Sequence, residues 1–155
     1  MRYLAITKPD INNGPGCRVT LWIPGCNRHC PGCHTPWTHD YNQGEEFTVD
    51  TYNELLSYLN KPYIAGLTIS GGDPLMQDED VLIDLLQLVY DLKDVLPPDK
   101  TIWIYTGYYV DELNELQKDI LSYCDYVVEG PFDLSKRNTT IAFRGSSNQK
   151  ITKLS

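Results

Sequence analysis

An α/β fold with mostly parallel strands follows from three features of this 155-residue chain. Strand-like apolar runs alternate with amphipathic helical runs, and the strand-like runs end in small or polar turns. The length falls well short of the ~250 residues of a full eight-stranded barrel, which leaves an incomplete, open barrel or a curved open sheet. One domain, 1–155, is enough for a core of this size.

The elements follow in order. "CRVTLWI" (17–23) alternates, with Val19, Leu21 and Ile23 on one face, as a strand does. "FTVDTYNELLSYLN" puts Val49, Tyr52, Leu55, Leu56 and Leu59 on one helical face, with Thr48 as N-cap. "AGLTIS" (65–70) is a short apolar strand ending at Gly71-Gly72. "EDVLIDLLQLVYDLK" (79–93) is a strong helix that stops before Pro97-Pro98. "TIWIY" (101–105) is a strand, "VDELNELQKDIL" (110–121) a third helix, "DYVVEG" (125–130) a further strand and "TIAFRG" (140–145) a last one. Strands separated by helices imply right-handed parallel crossovers, and in such folds sites are built at the carboxyl ends of the strands. Three strands end in candidate turns: Ser70-Gly71-Gly72-Asp73, Thr106-Gly107-Tyr108 and Glu129-Gly130-Pro131.

The composition is that of an ordinary globular chain, 41% hydrophobic and 22% charged. The net charge of −8 argues against nonspecific nucleic-acid binding, which needs Lys and Arg on phosphates. No apolar run approaches the ~20 residues that span a bilayer, so no membrane partner is expected. The first residues, "MRYLAITKPD", lack the apolar segment of a signal peptide. A cytoplasmic location follows, where thiols stay reduced and clustered cysteines are metal ligands or redox groups.

"GCNRHCPGCH" (25–34) places Cys26, Cys30 and Cys33 within eight positions. Three metal readings are open. A zinc site would add His29, His34 or His39 to make a tetrahedron. A four-thiolate iron–sulfur site would recruit Cys17 or Cys124. A cubane held by the three clustered thiolates alone would leave one iron open to a ligand. The last reading asks for hydrogen-bond acceptors at another strand end, and "TISGGDPL" (68–75) offers them: glycine carbonyls that a ligand can approach closely, and the Asp73 carboxylate for an amino group.

Cys26-x3-Cys30-x2-Cys33 followed by a ring residue, His34, resembles the signature of radical S-adenosylmethionine enzymes, and "SGGDP" their glycine-rich motif. "NGPGCRVTLWIPGCNRHCPGCHTPWT" (13–38) resembles the start of the glycyl-radical-enzyme activases. "LTISGGDPL", "IWIYTGY", "EGPF" and "FRGSSNQKI" are similar to the family that activates anaerobic ribonucleoside-triphosphate reductase, and the likeness runs from Asn13 to Ile151. The resemblance implies an incomplete, open (β/α) barrel of radical SAM type. It implies a 4Fe-4S cluster on Cys26, Cys30 and Cys33, and S-adenosyl-L-methionine held by His34, Ser70, Gly71, Gly72, Asp73, Thr106 and Gly107. It further implies reductive cleavage of that cofactor, giving a 5′-deoxyadenosyl radical that takes a hydrogen atom from a glycine of the partner. The partner is the large glycyl-radical subunit of the reductase, with an electron donor such as flavodoxin. The competing classes are a radical enzyme acting on a small molecule, similar to a deazapurine synthase, and a non-enzymatic iron–sulfur or zinc module.

The remaining residues carry plainer expectations. Cys17 reads as a neutral thiol and Cys124 as a core or helix-end thiol. His29 and His39 read as surface residues, and Arg18 as a carboxylate contact or surface ion pair. "FRGSSNQK" (143–150) is either part of a docking face or a solvated hairpin.

Overall fold

The computed structural model describes residues 1–33, 35–138 and 140–154. In chain order its elements are β1 (Arg2–Tyr3), β2 (Ala5–Asp10), β3 (Arg18–Ile23), β4 (Glu45–Glu46), α1 (Val49–Leu59), β5 (Gly66–Gly71), α2 (Glu79–Val95), β6 (Thr101–Tyr105), α3 (Glu115–Leu121), β7 (Tyr126–Glu129) and β8 (Lys150–Lys153). The main sheet has the order β2-β3-β5-β6-β7-β8. Its inner strands β3, β5, β6 and β7 run parallel, and β2 and β8 flank them antiparallel. No pairing of β2 with β8 closes the sheet among the described residues. The fold is therefore mixed α/β around a mostly parallel sheet, with three α-helices among the described residues.

The register sorts the strand residues into two faces, because successive side chains alternate across a sheet. Val19, Leu67 and Ile102 lie in neighbouring register, as do Leu21, Ile69, Ile104 and Val127. All of them are buried in one apolar core with Leu55 and Leu59 of α1, Leu85, Val89 and Leu92 of α2 and Ile120 of α3. The opposite face is polar and aromatic: Arg18, Thr20 and Trp22 on β3, Thr68 and Ser70 on β5, Trp103 and Tyr105 on β6.

Arg18 departs from its expectation of a surface ion pair. Its side chain is fully buried and donates to Thr68 Oγ1, Thr101 Oγ1 and the carbonyls of Pro15, Leu67 and Thr101. Burial pulls its pKa down to about 10, so it stays charged at neutral pH. The five acceptors replace the water that a buried cation loses. Nearby, Asp10 accepts from the Asn12 backbone, Asn13 Nδ2 and Thr20 Oγ1. Burial pushes the Asp10 carboxyl up, but these donors outweigh it and hold it below the usual carboxylate range.

Two of the helices, α1 and α3, start at side-chain caps. Thr48 caps α1 by accepting from Thr51 N at 3.3 Å, and Tyr52 and Leu56 sit half-buried beside the core, while Val49 is 75% exposed at the first turn. The expected single helix over 110–121 is instead a 3₁₀ turn at Val110–Glu112 followed by α3. Asn114 interrupts it: its side chain accepts from Gln117 N, which starts a new helix at that point. The strand expected over 140–145 does not form. Gln149 Oε1 accepts from Gly145 N and Ser146 N, so these backbone groups are satisfied by a side chain rather than a ladder. The sheet ends instead with β8 on β7. Strand β2 had no strong pattern to announce it; Pro9 and Lys8 suit the outer edge it occupies.

Leu67→Ala on the fully buried face of β5 should lower unfolding free energy by about 2–5 kcal/mol, measured by chemical denaturation. Asp10 has a lowered folded pKa, so it contributes stability above the unfolded carboxylate pKa, and that contribution is lost as pH falls through the folded value. Denaturation midpoints of the wild type should fall on acidification below about pH 4 more steeply than those of Asp10→Asn.

Candidate functional site

Because β3, β5, β6 and β7 are parallel, their carboxyl ends lie along one edge of the sheet. The segments leaving that edge are the cysteine loop after β3, Gly72–Asp73 after β5, Thr106–Gly107 after β6 and Gly130–Phe132 after β7. They enclose an open cleft of about 450 Å³. Cys26, Cys30 and Cys33 line it together with Ser70, Gly71, Gly72, Asp73, Thr106 and Gly107. The volume suits a cofactor-sized molecule. His34 lies outside the described residues.

Cys26 is buried, and Cys30 and Cys33 are half-buried. Burial pushes the Cys26 thiol above its ordinary value. Among the described residues no three His, Cys, Asp or Glu side chains are grouped as a single metal ion requires. A cubane binds each thiolate to a different iron and asks only that the three face one space. The other two cysteines are elsewhere. Cys17 precedes β3 and Cys124 precedes β7, so both lie at the amino edge of the parallel strands. The six residues of β3 span about 20 Å between that edge and the cysteine loop. Cys124 hydrogen-bonds Ile120 O inside the core, and burial pushes its pKa up to about 12. His29 and His39 pair with each other, Nδ1 to Nδ1 at 3.0 Å, and neither lines the cleft. Burial, and then the neighbouring His29, lower the His39 pKa.

The glycine turn is built differently from the expectation. Gly71 has φ +129°, and a side chain there would collide with the Ile23 backbone; one at Gly72 would collide with the Gly25 backbone. Both glycines thus let the turn press against the exit of β3, fixed by Gly72 N to Ile23 O at 2.9 Å and Asp73 N to Gly25 O at 2.8 Å. Thr35 Oγ1 reaches Gly71 O from the far side of the cysteine loop. The expectation of Asp73 as a free acceptor is not met. Its carboxylate is 1% exposed and already accepts from Arg28 Nη1, Gly107 N, Thr106 Oγ1 and Leu75 N.

Sequence reasoning missed several cleft residues: Trp22, Arg28, Thr35 and Tyr105. Arg28 sits between two of the clustered cysteines, the one signal that marked it. The opposite wall is made by Gly130–Phe132 and by Phe143, Arg144, Gly145 and Gln149, from the "EGPF" and "FRGSSNQK" segments. That wall is tied down by Tyr105 Oη to Phe143 O, Gln149 Nε2 to Gly130 O and Asn148 Nδ2 to Pro131 O. Four residues of the 143–150 segment, Phe143, Arg144, Gly145 and Gln149, thus line the cleft.

The 4Fe-4S single cluster domain family matches residues 12–152. An anaerobic ribonucleoside-triphosphate reductase-activating protein of Enterobacteria phage T4 is 38% identical over 152 residues, 97% of this chain and 93% of the relative. Its namesake in Escherichia coli K12 is 37% identical over 153 residues, 97% of each chain. The chain belongs to the family of anaerobic ribonucleoside-triphosphate reductase-activating proteins. The matched span, 12–152, includes the cysteine loop and the cleft residues Phe143, Arg144, Gly145 and Gln149. Among the described residues no helix is long and apolar enough to cross a membrane.

Under native conditions at pH 8, iodoacetamide should label Cys30 and Cys33 of the cluster-free protein and leave Cys124 unmodified until denaturant is added, as read by mass spectrometry. Gly72→Val should displace the turn from the Gly25 backbone and lower the thermal midpoint of the cluster-free protein, read by circular dichroism, while the three clustered thiols remain available to thiol titration.

Proposed function

We propose that this protein is a radical S-adenosylmethionine oxidoreductase that activates anaerobic ribonucleoside-triphosphate reductase by generating a glycyl radical on its large subunit. The observation that carries the reading is the meeting of three clustered thiols and three strand-end turns on one cleft. Family membership supports it, since the curated relatives are named for activating that reductase. The sheet, parallel inside and unclosed at its edges, is consistent with an incomplete, open (β/α) barrel of radical SAM type.

Cys26, Cys30 and Cys33 would hold a 4Fe-4S cluster and leave one iron for S-adenosylmethionine. Bound together, these cofactors supply an electron and a cleavable sulfur–carbon bond, whose breakage yields the group that abstracts hydrogen from a glycine. The residues of the chain do the rest by placement. The carbonyls of the Ser70–Gly72 turn would receive the methionine ammonium, since the Asp73 carboxylate is already engaged. Asp73 fixes Thr106 and Gly107, which would border the same ligand. His34, following Cys33, would stack on or contact the adenine. Tyr105 and the 143–149 wall limit water on the far side, leaving the open flank for a polypeptide loop. An electron donor such as flavodoxin would reduce the cluster, and the reaction would proceed in the cytoplasm.

Anaerobically reconstituted protein, reduced and mixed with S-adenosylmethionine and the reductase, should produce a doublet electron-spin-resonance signal on the reductase. The signal should change when the target glycine carries deuterium at its α-carbon, and deuterium should appear in 5′-deoxyadenosine. Cys26→Ala, Cys30→Ala or Cys33→Ala should abolish bound iron and the radical, whereas Cys17→Ala and Cys124→Ala should keep both. Hydrogen exchange into a small molecule, with no radical on the reductase, would favour the synthase class instead.

A further inference from the structure

Asp73 grips the cysteine loop at two points. Its backbone N–H donates to Gly25 O at 2.8 Å, and its carboxylate accepts from Arg28 Nη1 at 2.5 Å. Residues 25 and 28 stand on either side of Cys26, the first clustered thiol. The same carboxylate takes Gly107 N and Thr106 Oγ1, each at 2.9 Å, from the turn after β6. Arg28 is therefore the only side chain of the cysteine loop, among the described residues, that reaches the shared node of the other two turns.

The guanidinium is shaped into its place. Its carbon lies 4.4 Å from the centroid of the Tyr108 ring, a cation–π distance. A methyl group on Gly107 would stand 2.6 Å from Nη1, so the absence of a side chain at 107 is what admits the flat group. A carboxylate that is 1% exposed needs a cation or a full set of donors, and Arg28 supplies the charge.

We propose that Arg28 is a positioning residue that locks the cysteine loop onto the turns after β5 and β6, so that the thiol-bearing and ligand-facing halves of the cleft keep one relative placement before any cofactor arrives. The identity of the ligand in its test rests on the function proposed above. Lysine cannot replace this group fully, since it lacks the planar fork and the stacking face.

The test has a ligand-free arm and a ligand arm. In the cluster-free protein, Arg28→Gln should speed amide exchange at Gly107 and across 25–33 by at least about tenfold, with Arg28→Lys between it and wild type. After anaerobic reconstitution, iron per chain should stay near wild type, because the three thiols remain. Affinity for S-adenosylmethionine should fall at least about tenfold, and the ligand-induced change in the reduced cluster's spectrum should shrink. The double variant Arg28→Gln/Asp73→Asn removes the buried charge as well. It should recover the thermal midpoint lost in Arg28→Gln without recovering ligand affinity. If the double variant restores both, Arg28 only neutralises Asp73 and the proposal falls. It falls equally if exchange and affinity in Arg28→Gln stay within twofold of wild type. Should Arg28→Gln not fold, Arg28→Lys is judged by the same twofold limit. A wild-type protein that loads iron yet shows no response to S-adenosylmethionine overturns the function reading, and the exchange arm still decides the lock.

Discussion

One buried carboxylate organises the functional edge of this protein. Asp73 is sequestered at the carboxyl ends of the parallel strands, where a charge without partners would be costly. It is tolerated because each of its lone pairs is used: by its own turn through Leu75 N, by the β6 turn through Thr106 and Gly107, and by the cysteine loop through Arg28. Three chain segments far apart in sequence thereby become one wall of one cleft. The two preceding glycines serve the same end, since they allow the turn to lie against the backbone of Ile23 and Gly25.

The rest of the sheet serves this edge through its two unlike faces. The face of Leu21, Ile69, Ile104 and Val127 buries against the helices and supplies the hydrophobic free energy. The other face carries Arg18, Thr20, Thr68 and Tyr105, polar groups that need partners from the loops covering them. Arg18 finds carbonyls and hydroxyls on β5 and β6, while Tyr105 anchors Phe143 in the far wall. The helices face one way and the site the other, so the core does not compete with the cleft for space.

The parts of the fold legible in the sequence were those with local causes. The strand near 18–23 declared itself by alternation, that at 101–105 by a short apolar run ending in a turn, and α1 by its Thr48 cap. What escaped had causes outside the segment. Strand β2 is an edge strand with a proline, held by β3. The 140–145 segment has strand-like residues, yet at its two ends side chains take the backbone donors, Asn138 at Thr140 and Gln149 at Gly145. Arg18 reads as a surface cation until five acceptors from other segments surround it.

By itself the sequence determined where the candidate site residues lie: three thiols at a fixed spacing, a glycine turn and two further turns, each a contiguous motif with a local signature. It also determined that the strands would be parallel, because helices separate them, and so that these turns would share one edge. Only the tertiary structure decided that Cys17 and Cys124 lie at the opposite edge, since strand direction in space separates residues that sequence leaves undecided. Only it decided that Asp73 ties these segments together, because a carboxylate's role is set by which donors reach it, and three of its four, Arg28 Nη1, Thr106 Oγ1 and Gly107 N, come from other segments of the chain.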